Sequence, residues 1–196
     1  MGRWEPNTRD RLARAALELF GERGYEQTTV AEIARRAGLT ERTYFRHYAD
    51  KREVLFGGSQ VLRDRFTGAV AEAPASAAPI DVVAAGLEAI AQVFPAREDS
   101  RRRQSVVGAH PELQERELIK LATLSAAVAE ALRARGVPDP TAGLAAEAGV
   151  AVLKVGYERW IAPTEQRELA DLLRESLTQL KAVTAGAEEP VAKSGS

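Results

Sequence analysis

The sequence predicts an all-α chain, with a three-helix head joined by a fourth helix to a larger helical body. Three observations carry this. Apolar residues recur at three- and four-residue steps along almost the whole length, the period of a helix with one buried face. The period-two alternation of a half-buried strand is absent. Pro79, Pro111, Pro140 and Pro163 fall where helices start or are about to start, the places where a fixed φ and a missing N–H cost least.

The first helix runs from Thr8, whose side-chain oxygen can cap it, through Leu12, Ala15, Ala16, Leu19 and Phe20 to a stop at Gly24. The second, "TTVAEIARRAG", starts at Thr28 or Thr29, with Glu32 placed to close a capping box on Thr29. Val30, Ile33, Ala34 and Ala37 face inward and Gly38 ends it. A third runs from Thr40 to about Tyr48, and Asp50 caps a fourth through Val54, Leu55, Val61, Leu62 and Phe66. The Pro/Ala-rich stretch 71–79 is the clearest break in composition and reads as the boundary between two halves. Helices follow at about 80–95, 99–109, 111–135, 140–162 and 164–184, and the small, polar residues 186–196 are expected to be a disordered tail.

Composition bounds the function. With 196 residues, 45% hydrophobic and 28% charged, the chain holds enough apolar material for a buried core. No run of eighteen apolar residues is present to cross a membrane, and "MGRWEPNTRD" lacks the apolar centre of a secretion signal. The absence of cysteine excludes disulfides and thiolate chemistry and fits a cytoplasmic location. The net charge of −1 hides an asymmetry: residues 1–66 hold 13 Lys/Arg against 10 Asp/Glu, and residues 67–196 hold 14 against 18. A basic head on an acidic body points the head at an anion.

Two short helices joined through a glycine form a helix-turn-helix, whose second helix enters the major groove of DNA. Tyr44 and Tyr48 share the inner face of that helix with Leu39 nearby, while Arg42 and Arg46 share the outer face with Thr43 beside them. The planar fork of arginine matches guanine O6 and N7, and threonine offers a hydroxyl and a methyl. Lys51, at the start of the fourth helix, fits a phosphate gripped together with free helix-end amides. Thr28 and Thr29 offer the same arrangement at the second helix. Arg3 and Trp4 are candidates for a minor-groove arm.

Residues 8–56, "ALELFGERGYEQTTVAEIARRAGLTERTYFRHYADKREVLF" in their matching part, resemble the N-terminal domain of the tetracycline-repressor (TetR) family of bacterial regulators. Thr28, Gly38, Thr40, Thr43, His47 and Lys51 fit the family pattern; Phe45 stands where many members carry a tyrosine, so a phosphate hydrogen bond is lost there. The resemblance implies a DNA-binding domain over 1–50 and a helical ligand-binding and dimerisation domain over 51–185. It implies a homodimer on a palindromic double-stranded operator and favours a repressor released by a small effector, which the composition makes apolar or amphipathic; no cofactor and no metal are expected from the residues themselves. Phe45 and His47 join the DNA-facing set on the same basis.

In the body, Ala142, Gly149 and Gly156 recur every seven residues, and Leu169, Leu172, Leu173, Leu177 and Leu180 form a stripe. They form a small-residue face and a leucine face that either bury inside one subunit or, as the family resemblance implies, pair across a two-fold axis as a four-helix bundle. Apolar candidates for an effector pocket are Leu87, Ile90, Phe94, Val106, Val107, Leu118, Leu121 and Leu124, with Arg97, His110, Tyr157 and Trp160 as polar or aromatic contacts. The run "SRRRQ", 100–104, is either a solvated face or a lure for an anionic ligand. An enzyme is disfavoured: there are two histidines, no nucleophile elbow, no phosphate-binding glycine loop and no metal-spaced His/Cys set. The remaining rivals are a helical protein-binding adaptor and a ligand-independent DNA-binding regulator.

Overall fold

A computed structural model describes residues 8–185. Arg3, Trp4 and the tail 186–196 lie outside the described residues. Among those described there is no strand, and the helices are α1 Thr8–Arg23, α2 Val30–Arg36, α3 Glu41–His47, α4 Ser59–Glu72, α5 Pro79–Ala91, α6 Arg97–Ala109, α7 Pro111–Ala134, α8 Asp139–Trp160 and α9 Leu169–Ala185. A 3-10 turn, Arg52–Phe56, precedes α4.

Two apolar cores organise the chain. The head core joins Leu12, Ala16, Leu19 and Phe20 of α1 to Ile33, Ala34, Tyr44 and Tyr48, and it also takes in Val54, Leu55 and Phe56 with Val107 and Leu113 of the body. The body core gathers Phe66 and Val70 of α4, Val82, Val83, Leu87 and Ile90 of α5, and the inner faces of α7, α8 and α9. The seam between head and body is therefore continuous packing, and α4 begins beside it.

Local rules explain most boundaries. Thr29 closes a capping box: its side chain accepts from the Glu32 amide and its own amide donates to the Glu32 carboxylate. Gly38 ends the turn at φ +67°, a conformation other residues adopt at a cost, while the Arg11 guanidinium donates to the Ala37 carbonyl at 2.5 Å and ties α1 to the end of α2. Thr40 caps α3 by accepting from the Thr43 amide at 3.2 Å.

Three expectations change. The fourth helix is interrupted: Asp50 does accept from the Glu53 amide at 2.9 Å, but the turn it caps closes at Phe56, and Gly57–Gly58 separate it from α4. Residues 71–79 do not divide the chain, because α4 before them and α5 after them pack into one core; Arg135 fastens the turn by donating to the carbonyls of Ala71, Ala73 and Pro74. Helix α9 begins at Leu169, since the Glu165 carboxylate accepts the amides of Gln166 and Arg167 and holds a loop.

The paired small-residue and leucine stripes also need correction. Ala142, Leu169, Leu172, Leu173 and Leu177 are buried within one chain, and Leu180 packs partly on the same core. A Cβ on Gly149 would meet Val83 at 2.7 Å, and one on Gly156 would meet Leu173 at 2.6 Å. Both glycines exist for close approach inside the subunit, and the leucines fill that contact. The outward face of α8 carries a second stripe at four- and three-residue steps: Leu144, 73% exposed, Ala148, Ala151 and Val155, 46% exposed.

Candidate nucleic-acid interface and ligand cavity

Helix α3 is held from below. Tyr44 is fully buried and donates to the carbonyls of Asp50 and Lys51 at 3.2 and 3.3 Å, while Tyr48 donates to the Arg9 carbonyl at 3.3 Å. Burial pushes both phenols up, so they stay neutral donors. A seven-residue helix is too short to be stable alone; these two rings and the Thr40 cap fix it. Its outer face then carries Arg42, Phe45 and Arg46, all exposed, with Thr43 half-buried beside them. Neither arginine makes a hydrogen bond or an ion pair with described residues. Thr40 is exposed, and its hydroxyl lies 3.0 Å from that of Thr43.

Other candidates at this end are turned to internal work. Thr28 is 1% exposed and donates to the carbonyls of Leu19 and Gly24; it locks the α1–α2 loop and its hydroxyl cannot reach a phosphate. Thr29 is exposed, yet the Glu32 carboxylate already occupies its hydroxyl and amide, so the anion position at the start of α2 is filled. Lys51 donates to the Tyr25 carbonyl at 2.9 Å and sits 4.1 Å above the Tyr25 ring, tying the loop after α1 to the turn after α3. It does not stand at a free helix start. The His47 Nε2 is buried without a partner among the described residues, and burial, followed by Arg46 and Arg9, holds its pKa below the usual histidine range.

The body holds a cavity of about 510 Å³ between α4, α6, α7 and α8, under the 3-10 turn. Of the predicted contacts, Phe94, Leu118, Leu121 and Tyr157 line it, together with Val107 and Leu124. Leu87 and Ile90 are instead core residues. Arg97 and Trp160 border a separate cleft that shares Phe94, with Arg97 stacked 5.5 Å from the indole and bonded to the Glu165 and Arg167 carbonyls. Val106 packs on the head core. His110 lies against the Tyr25 ring, centroids 4.9 Å apart, with Nδ1 3.7 Å from Glu26; it belongs to the head–body seam. Burial, with Glu112 nearby, pushes the Tyr25 phenol up to about 12.

Sequence reasoning missed the polar wall of this cavity. The 100–104 run is a solvated face only at Arg102, which is exposed and pairs with Glu98: Arg101 donates to the Ile161 and Ala162 carbonyls, and Arg103 pairs with Glu117 while donating to the Leu55 carbonyl at 2.7 Å. Leu55, Phe56, Arg103, Glu117 and Lys120 all line the cavity. The available signal was cations at i, i+4 spacing, Arg116 and Lys120, beside Leu113, Leu121 and Leu124.

Comparison with known proteins agrees with this geometry. A family model described as bacterial regulatory proteins, tetR family, matches residues 12–56, and one described as the MftR C-terminal domain matches residues 77–185. The HTH-type transcriptional regulator TcmR of Streptomyces glaucescens is 40% identical over 83 residues, 42% of this chain and 37% of that protein. A mycofactocin biosynthesis transcriptional regulator, MftR, of Mycobacterium tuberculosis is 39% identical over 57 residues, 29% of each. The alignments thus span well under half the length of either relative. Among solved structures, FadR of Thermus thermophilus, described as a transcriptional repressor in complex with lauroyl-CoA, shares 27% identity over 95% of this chain and all of that one, with a TM-score of 0.53. No described helix is long and apolar enough to cross a membrane.

Proposed function

Because the chain belongs to the tetR family of bacterial regulatory proteins, we propose that it is a homodimeric repressor that reads a palindromic operator with α3 and leaves it when a small effector fills the body cavity. The observation that carries this reading is the outer face of α3. Arg42 and Arg46 stand exposed and unpaired among the described residues, on a helix whose inner tyrosines leave it no freedom to turn. Guanidinium groups so placed suit guanine edges. Phe45, 53% exposed beside them, suits a thymine methyl or a sugar, and Thr40 and Thr43 suit the flanking backbone.

The dimer is assigned to the outward stripe of α8, Leu144, Ala148, Ala151 and Val155, in place of the buried stripes. A two-fold axis beside that stripe sets α8 against its copy. The head spans residues 8–56, since the 3-10 turn completes its core. The effector is small and apolar or amphipathic, because the cavity walls are mostly aliphatic and aromatic; the lauroyl-CoA complex of the Thermus thermophilus repressor supports that class. The ligand acts by its differential affinity for two arrangements of the body.

Selection of bound fragments from random duplex DNA tests the reading. A palindrome with half-sites about 34–36 Å apart is expected. Enrichment of no sequence, with binding insensitive to salt, would favour a protein-binding adaptor.

A further inference from the structure

On the side of the cavity nearest the head, Arg103, Glu117 and Lys120 line the wall, and the Arg116–Glu53 pair lies behind them against Lys120. Arg116 holds Glu53 through both Nε and Nη2, and Arg103 holds Glu117 through both terminal nitrogens. Glu117 is therefore engaged through both oxygens and Glu53 through Oε1. The third cation, Lys120, is left with long contacts: the Phe56 carbonyl at 3.3 Å, the Ser59 hydroxyl at 3.4 Å and Glu53 at 3.6 Å. Its side chain is 24% exposed and lies 5.0 Å from the Phe56 ring. An ammonium taken out of water is costly unless an anion meets it. Desolvation, reinforced by Arg116 and Arg103, accordingly lowers the Lys120 pKa.

The geometry points to Lys120 as the anchor for an anionic head group, so that the cavity takes a monocarboxylate amphiphile whose apolar body runs along Leu62, Leu121 and Leu124. This rests on the cavity being the effector site. Its carboxylate meets the loosely held ammonium and the Ser59 hydroxyl, while the aliphatic wall takes the chain. A neutral amphiphile of the same length leaves the ammonium as poorly matched as before, and a cationic one adds a like charge.

The same anchor touches the head. Lys120 donates to the last carbonyl of the Arg52–Phe56 turn, whose Val54, Leu55 and Phe56 are part of the head core. A carboxylate that captures the ammonium draws it off Phe56 and Glu53 and loosens the turn between α3 and α4.

The test is calorimetric titration of the full chain at pH 7.5 with octanoate, 1-octanol and octylamine, on wild type, Lys120→Met and Lys120→Arg. Octanoate is expected to bind wild type at least about tenfold more tightly than octanol, with octylamine weakest. Lys120→Met brings octanoate and octanol within about threefold while keeping octanol affinity; Lys120→Arg keeps the preference. Octanoate also weakens binding to the selected operator in wild type and not in Lys120→Met. Equal binding of acid and alcohol to wild type overturns the anchor but leaves the cavity as an effector site, as does an acid preference that survives Lys120→Met. Binding of none of the three by folded protein overturns both the anchor and the effector reading.

Discussion

Gly149→Ala and Leu144→Ala lie on one helix, differ by a few atoms, and should fail in opposite ways. The Cβ added at Gly149 would lie 2.7 Å from Val83 Cγ1 and 3.6 Å from Phe66, where carbon contacts are comfortable at about 3.5–4.0 Å. Overpacking of this kind costs about 1–3 kcal/mol, and the helix regains about 1 kcal/mol from losing a glycine, so folding stability falls by about 0–2 kcal/mol. The dimer constant should change less than about twofold, because the Cβ points into the subunit. Leu144 is the reverse: 73% exposed in one chain, it loses almost no intrachain packing as Ala. If its face pairs across a two-fold axis, each dimer loses two burials. At about 1.5–3 kcal/mol per fully buried leucine, scaled by its exposure, that is about 2–4 kcal/mol, or a factor of roughly 30 to 700 in the dimer constant. Sedimentation equilibrium gives the dimer constant, and urea unfolding followed by circular dichroism gives stability. Dissociation caused by Gly149→Ala together with an undisturbed dimer in Leu144→Ala would refute the assignment of the two faces.

Other predictions are narrower. Thr40→Ala removes the α3 cap and should cost about 1 kcal/mol, lowering Tm by about 2–4 °C in a chain of this size, as read by thermal unfolding. Thr28→Val leaves the Leu19 and Gly24 carbonyls without their donor and should cost about 1–3 kcal/mol, with operator affinity per folded molecule unchanged; a selective loss of DNA binding would restore Thr28 to the interface. For His47, the folded pKa lies below the unfolded value near 6.5, so the folded state binds fewer protons between the two. Wild-type stability should therefore fall as pH drops through that window, and a difference curve against His47→Asn, from urea unfolding, should show the fall.

The helical fold was legible because the apolar period is unambiguous in α1, α2 and α3, and because capping residues such as Thr29, Thr40 and Asp50 act locally. The inner and outer faces of α3 were equally legible, since Tyr44 and Tyr48 against Arg42 and Arg46 differ in kind. What failed depended on partners far along the chain. Lys51 looked free at a helix start, but its partner Tyr25 lies 26 residues earlier. Arg103 read as part of a run that was either solvated or open to an anionic ligand, yet it reaches Leu55 across the head–body seam. Helix α8 is apolar or small on two faces, and periodicity alone does not say which meets a neighbour inside the chain. Gly149 and Gly156 drew attention for a sound reason, close approach, but the approaching groups were Val83 and Leu173 of the same subunit.

The central claim, that α3 offers Arg42 and Arg46 to base edges, is met most directly by methylation interference at guanine N7 on the selected operator, with wild type and Arg42→Ala side by side. A methyl at N7 removes the acceptor an arginine uses in the major groove. Wild type should lose binding at a defined guanine in each half-site, and Arg42→Ala should bind about 1–3 kcal/mol more weakly and become indifferent to methylation at that position alone. Interference patterns identical in the two proteins, with no loss of affinity in the variant, would contradict the account.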